Sequence, residues 1–357
     1  MDLSVVATPL YLGSMVYENR VLKARAATAG PTPADYDRPD TRTSLTMGVA
    51  SLMVPITQYA LTRVVPGKGR AGKALVGFAA SAIAVTTVAD RVARRADARR
   101  DARTARRARQ VASVGGVAAV ASTVVGASAA YSFLSSTKRQ WAKGQHRDLG
   151  TGVRAWTLAM VGWDLAYYCN HRLQHEVRAM WAIHVVHHSS EHYNLSTALR
   201  QPVSAFGAFV PYSWLARLGV RPALIEHSRA INLIYQYWIH TDTIRSLGAS
   251  EAVLNTPSHH RVHHGSNRRY LDRNHAGILI VWDRLFGTFQ PELADDPVVY
   301  GLTKNIHTFN PLRVITHEYR DMFVDVASAE NWHDRVSYVL RGPGWAYRKR
   351  DERLAAA

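Results

Sequence analysis

Between residues 74 and 137 apolar and charged positions separate into blocks instead of alternating. Residues 74–89 carry no charge, residues 91–109 hold nine arginines among alanine and aspartate, and residues 111–137 are again uncharged. The last stretch is long enough to cross a hydrocarbon core of about 30 Å as a helix. A basic run between two such stretches reads as a cytoplasmic loop joining two membrane spans, because cytoplasmic loops carry the excess of Lys and Arg. Weaker apolar stretches at 3–17, 44–61 and 151–168 extend the pattern to further spans. Two more, 201–216 and 230–239, are too short to cross comfortably and read as a hairpin that dips into the bilayer and returns. After Asp283 the pattern turns polar and mixed, ending in the basic tail "WAYRKRDERLAAA", which suits a peripheral cap on a membrane surface.

This pattern predicts an all-α integral membrane helical bundle. If 91–109 is cytoplasmic, 111–137 leaves that compartment and 151–168 returns to it, delivering the next residues to the cytoplasmic face. Lys138, Arg139, Lys143 and Arg147 then lie outside, against the same charge rule. Residues 1–150 form the N-terminal spans with their Arg-rich loop, 151–292 a second region, and 293–357 the cap and tail.

Composition changes the picture in three places. A formal charge of +17 raises nucleic acid as a partner, but the arginine run contains no aromatic residue to stack on a base, so nucleic acid is not expected. A single cysteine, Cys169, rules out an intramolecular disulfide framework. The N-terminal residues lack a basic n-region and an A-x-A pattern, so no signal peptide is expected.

The chemistry is concentrated in histidine. "WDLAYYCNHRLQH" places His171 and His175 at i, i+4. "WAIHVVHHSSEHYN" places His184, His187 and His188 at i, i+3, i+4, and "NTPSHHRVHHG" does the same with His260, His263 and His264. On a helix of 3.6 residues per turn each triplet leaves one face within a turn, a chelating geometry. Buried imidazoles in such numbers compete for scarce hydrogen-bond partners unless a metal takes their lone pairs. Eight ligands overfill one tetrahedral site, so two metals are expected, although imidazole suits iron, zinc, copper or nickel alike. His240 closes the apolar segment "INLIYQYWIH" and is expected as a ninth ligand. His259 points about 100° away from His260 and is expected to flank the cluster; His192 stands past two serines that end its helix, and His275 reads as a packing or surface residue. Asp164, two turns before His171, is expected to take an imidazole N–H, with Asp242 and Asp283 in similar supporting roles. HExxH is absent, because Ala179 and Asp321 stand where a zinc protease needs its second histidine. A dimetal centre at a membrane surface suggests lipid chemistry. Hydrolysis would need only a Lewis acid and an activated water, whereas breaking an alkyl C–H bond needs a redox metal and oxygen.

At this point the sequence resembles the fatty acid hydroxylase and sterol desaturase superfamily of membrane di-iron oxidases. The shared pattern is HxxxH followed by two HxxHH clusters, with the flanking words "DLAYYCNHRLQH", "HHSSEHYNLSTALRQ", "YQYWIHTDTI", "TPSHHRVHHGSN" and "ILIVWDRLFGTFQPE". The resemblance covers residues 164–292 closely and looks most like the alkylglycerol monooxygenase-like branch. It implies that residues 151–292 are a di-iron domain with a cytoplasmic histidine-rich cap, in which two iron ions and O2 hydroxylate or desaturate a lipid. No cofactor-binding fold for NAD(P) or flavin is expected in the chain, so a separate electron donor is expected: a ferredoxin, a cytochrome or a reductase. A zinc-dependent membrane hydrolase and a non-catalytic metal-binding or transport protein are the competing readings.

Overall fold

The computed structural model describes residues 6–54, 56, 59, 69–202 and 210–355. Among them the secondary structure is helical, with two isolated β-bridges and no strand. Helix α1 (Thr8–Ala29) starts with a proline in its first turn and ends at Gly30, whose φ of 85° suits a residue without Cβ. Helix α2 (Arg38–Ser51) is capped by Asp37, whose carboxylate accepts the Asp40 N–H. The two charge-free blocks become α3 (Arg70–Ala98) and α4 (Ala102–Leu134), so the arginine run is not a loop. It forms the adjoining ends of two long helices, broken only at residues 99–101. Alanine and arginine are both good helix formers, which is why the run stays helical almost to the turn.

Then follow α5 (Thr137–Gly144), α6 (Val153–Glu176), α7 (Arg178–His188), α8 (Trp214–Arg217), α9 (Pro222–Trp238), α10 (Pro257–His263) and α11 (Val281–Phe286). The last three are α12 (Pro311–Ser328), α13 (Trp332–Leu340) and α14 (Pro343–Ala355).

The chain divides into two compact units. One comprises Met1–Val54, Ser135–Gln174 and Ile183–Ile315; the other comprises Pro55–Leu134, His175–Ala182 and Thr316–Ala357. In the first unit α6 is a core helix. Its Ala155, Ala159 and Trp163 pack with Leu215, Ala216, Val220, Leu224 and Ile225 from α8, α9 and the turn between them. The N-terminal segment joins the same unit through polar contacts: the buried Glu18 carboxylate accepts the Tyr36 hydroxyl at 2.6 Å, the Leu195 N–H at 2.9 Å and the Thr241 hydroxyl. Arg25 pairs with Asp242 at 2.8 Å.

In the second unit α4, α12, α13 and α14 bury Val120, Met322, Val326, Tyr338, Val339 and Ala346 together. A Cβ at Gly116 would come within 2.8 Å of Arg335 Nε, so glycine lets that side chain lie against α4. Arg335 then reaches Asp90 of α3 at 2.5 Å, both groups being buried. Arg178 is fully buried between Glu318 at 2.7 Å and Asp325 at 2.8 Å.

Among the described residues α3 and α4 are the helices long and apolar enough to cross a membrane, with 11% and 33% of their apolar windows buried. Of the other expected spans, 3–17, 44–61 and 201–216 lie partly outside the described residues. The stretch 151–168 belongs to α6, which does not reach the same apolarity because Arg154 and Asp164 interrupt it. The stretch 230–239 is the second half of the amphipathic α9 and the residue after it.

Candidate metal centre

Three helices and one helix end bring the histidines together. His171 and His175 lie one turn apart on α6; His184, His187 and His188 finish α7; His260 and His263 lie on α10 and His264 caps it; His240 follows α9. All nine are buried. Their ring nitrogens form two groups, each with its ligand atoms within 4.8 Å of one another: His171, His175, His184, His188 and His263 in one, and His187, His240, His260 and His264 in the other.

This partition departs from the expectation that each triplet acts as one face. Successive residues are about 100° apart, so positions i and i+4 differ by only about 40°, whereas i+3 and i+4 are a full 100° apart. His184 and His188 therefore turn to the first group and His187 to the second. On α10 the roles reverse: His260 and His264 share the second group and His263 enters the first.

Hydrogen bonds define which ring nitrogen faces inward. His171 Nδ1 lies 2.8 Å from the His275 carbonyl oxygen, His263 Nδ1 lies 2.9 Å from that of Arg273, and His240 Nδ1 lies 2.7 Å from that of Gln236. A carbonyl only accepts, so each Nδ1 carries the proton and each Nε2 lone pair is left for the centre. Inside the groups, Nε2 of His184 lies 2.9 Å from that of His171 and 3.0 Å from that of His188; Nε2 of His240 lies 3.2 Å from that of His187 and 2.9 Å from that of His260. Imidazole nitrogens at roughly 2.0–2.1 Å from one divalent metal, on bonds at right angles, are about 2.9 Å apart. The observed spacing matches that. His264 Nε2 is buried with no hydrogen-bond partner, which is costly unless a cation takes its lone pair. The donor set therefore fits two metal ions.

Burial also sets the protonation state. Desolvation lowers the His240 pKa to about 4. Burial first, and then the neighbouring imidazoles, hold His260 and His264 well below the usual histidine value. All three are neutral near pH 7, as a ligand must be.

The supporting carboxylates act differently from expectation. Among the described residues Asp164 receives no imidazole N–H. Its carboxylate accepts the backbone N–H of Ile278 and Leu279, the Trp282 indole N–H and the Asn232 amide, at 2.6–3.0 Å. It thus anchors the loop leading into α11. Gly277 is required there, because a Cβ would stand 2.8 Å from both Asp164 Oδ1 and Asn232 Oδ1. Asp242 is engaged by Arg25 and Arg245. Asp283 accepts the backbone N–H groups of His275 and Ala276, each at 2.8 Å, and burial raises its pKa.

His275 is fully buried, the packing alternative of the two expected, and its backbone carbonyl receives the His171 ring. His259 is buried against Phe289 outside both groups, and His192 also stands outside them. Sequence reading missed Arg261, which lies between two ligating positions and is itself fully buried. It binds Glu292 at 2.6 Å and the carbonyls of Thr241, Ile244 and Arg245, tying α10 to the segment after His240. Its sequence signal was an arginine inside the otherwise uncharged word "SHHRVHHG".

Residues 156–288 match the fatty acid hydroxylase family model. Alkylglycerol monooxygenase of Homo sapiens is 48% identical over 191 residues, 53% of this chain and 42% of that protein. The Danio rerio protein of the same name is 49% identical over the same shares. Ornithine lipid hydroxylase OlsE of Rhizobium tropici is 25% identical over 164 residues, 42% of this chain and 46% of that one. The chain is thus matched to less than half the length of these relatives. No solved structure matches it. Residues 156–288, which carry all nine converging histidines, are the part of this chain that is similar to the fatty acid hydroxylase family.

Proposed function

We propose that the protein is a membrane-bound, oxygen-dependent di-iron monooxygenase of lipids, with alkylglycerol-type ether lipids as its substrate class. The observation that carries this is the convergence of nine buried imidazoles into two groups of five and four. His171, His175, His184, His188 and His263 would hold one iron, and His187, His240, His260 and His264 the other. Bound iron supplies the redox chemistry by which one oxygen atom of O2 enters a C–H bond and the other leaves as water, consuming two electrons and two protons.

The chain's own residues supply the setting. Carbonyl groups of Arg273, His275 and Gln236 hold three rings in one tautomer. Burial keeps the ligands neutral and keeps water from the centre. The electrons would come from a separate ferredoxin, cytochrome or reductase. Helices α3 and α4 would cross the bilayer with the arginine ends on the cytoplasmic side, the side on which the histidines work. The 48% identity to alkylglycerol monooxygenase favours an ether-linked alkyl lipid over a fatty acyl or sterol-like one.

The test is incorporation of labelled oxygen. Iron-loaded protein in nanodiscs, given an alkylglycerol, a reductant and 18O2, is expected to release product carrying one 18O atom from gas and none from labelled water. Product oxygen derived from water, or equal turnover by zinc-loaded protein without O2, would contradict the reading.

A further inference from the structure

The five-histidine group is held by a backbone device that the four-histidine group lacks. Asn274 is fully buried in the left-handed region, at φ 55°. Its side-chain amide donates to the carbonyls of His259 at 3.0 Å and Gln290 at 2.7 Å, and its Oδ1 accepts the Gln290 N–H at 2.9 Å. Its own N–H donates to the Thr288 carbonyl at 3.0 Å. Every polar atom of its side chain is therefore used. The residues on either side of it, Arg273 and His275, are the two whose carbonyls accept Nδ1–H from His263 and His171. Both rings belong to the same group. Asp283 fixes the far side of the segment through the His275 and Ala276 N–H groups.

A left-handed residue turns the chain sharply, which is how two carbonyls only two residues apart reach rings on α6 and α10. Asparagine accepts this conformation more readily than most side chains, and its amide can then bond the surrounding backbone. In the four-histidine group the corresponding bond is His240 Nδ1–H to the Gln236 carbonyl, four residues earlier at the end of α9. That bond needs nothing beyond the helix itself.

We infer that Asn274 is a positioning residue for one metal and not the other: it sets the orientation of the His171 and His263 rings, so the metal in the five-histidine group is the one whose retention depends on the 273–275 turn. This rests on the di-iron reading above. Asn274 stands outside both histidine groups, and it acts through two carbonyl groups.

The test uses the full-length protein in detergent, loaded with 57Fe, with iron counted per chain and Mössbauer spectra recorded. Asn274→Gly keeps the left-handed backbone at no steric cost and removes the three side-chain bonds. His263→Ala and His240→Ala mark which spectral component belongs to which group. The expected result is that Asn274→Gly changes or loses the component that His263→Ala loses and leaves the component that His240→Ala loses. Affinity for that one iron should fall about 10–100-fold, the usual cost of removing a support behind a ligand. Asn274→Asp retains the bond from the Gln290 N–H but sets a carboxylate oxygen against two carbonyls, so it should disturb the same component. Equal loss of both components in Asn274→Gly would show a general folding role and overturn the inference. Unchanged spectra and two tightly held irons would overturn it as well, while leaving the di-iron reading intact. Wild-type protein that never holds two metals would overturn both.

Discussion

The histidine region and the α3–α4 hairpin reverse each other's burial. Around the clusters the interior is filled with polar side chains: nine imidazoles, Arg261, Asn274 and Asp283 are all buried. In the hairpin the apolar side chains face outward, with Val76, Phe78, Ile83, Val85 and Val88 exposed. Polar groups enter an interior only when something inside pairs them, and apolar groups stay outside at small cost only when lipid surrounds them. The first region is therefore suited to holding ligands, and the second to apolar surroundings. Four predictions test that contrast, in order of expected effect.

The largest effect belongs to the ligands. His264→Ala should remove the iron of the four-histidine group and bring turnover to background, whereas Val88→Ala in the hairpin should leave metal content and turnover unchanged. Elemental analysis and product assay read both. An active His264→Ala protein would break the contrast at its strongest point.

Next is the hairpin's own exception, the buried Arg335–Asp90 pair. Arg335→Ala leaves Asp90 without its guanidinium partner, which typically costs about 3–5 kcal/mol. Thermal unfolding in detergent should show a clear loss, with iron per folded chain preserved. Loss of iron in parallel with stability would mean that this pair supports the metal centre too.

The pH response should come from the histidine region. The folded pKa of His240 is depressed to about 4 from the ordinary 6.5, so protons bind preferentially to the unfolded chain. Its contribution is fully present above about pH 6.5 and is lost as pH falls toward 4, amounting to roughly 3 kcal/mol for this ring at about 1.4 kcal/mol per unit. Metal-free protein should therefore become less stable across that interval, with His260 and His264 acting in the same direction. His240→Gln should flatten the slope. Stability that rises on acidification from pH 6.5 to 5 would contradict the assignment of neutral rings.

The smallest effect is at Gly277. A methyl group there would meet the Asp164 and Asn232 side chains at 2.8 Å, so one of them must shift. Gly277→Ala should cost about 1–3 kcal/mol of stability. A neutral outcome in a melting experiment would mean that the anchor at Asp164 yields easily.

Much of this contrast was legible in the chain. The i, i+3, i+4 histidines and the flanking words located eight of the ring positions because helical periodicity projects sequence directly into space. The charge-free blocks located α3 and α4 for the same reason. His240 was legible from its place at the end of an apolar segment. The supporting contacts were not. His171 and His263 are held by backbone carbonyls, which every residue possesses and which leave no mark in the sequence. The ring of His275 packs, and nothing in its residue type shows that its carbonyl supports His171. Asp164 lies on the helix that carries His171, yet its partners come from residues 232 and 278–282, a tertiary choice that spacing along one helix cannot reveal. Glu18 joins residues 36, 195 and 241 across long separations, and an acid just past the apolar stretch 3–17 gives no sign of that.

The central claim is that the nine histidines hold two irons per chain. X-ray absorption at the iron edge, with elemental analysis on the same purified full-length sample, tests it most directly. The account predicts two irons per chain, with nitrogen-dominated shells at imidazole distance. A fully active sample with one metal per chain, or with zinc in place of iron, would contradict it.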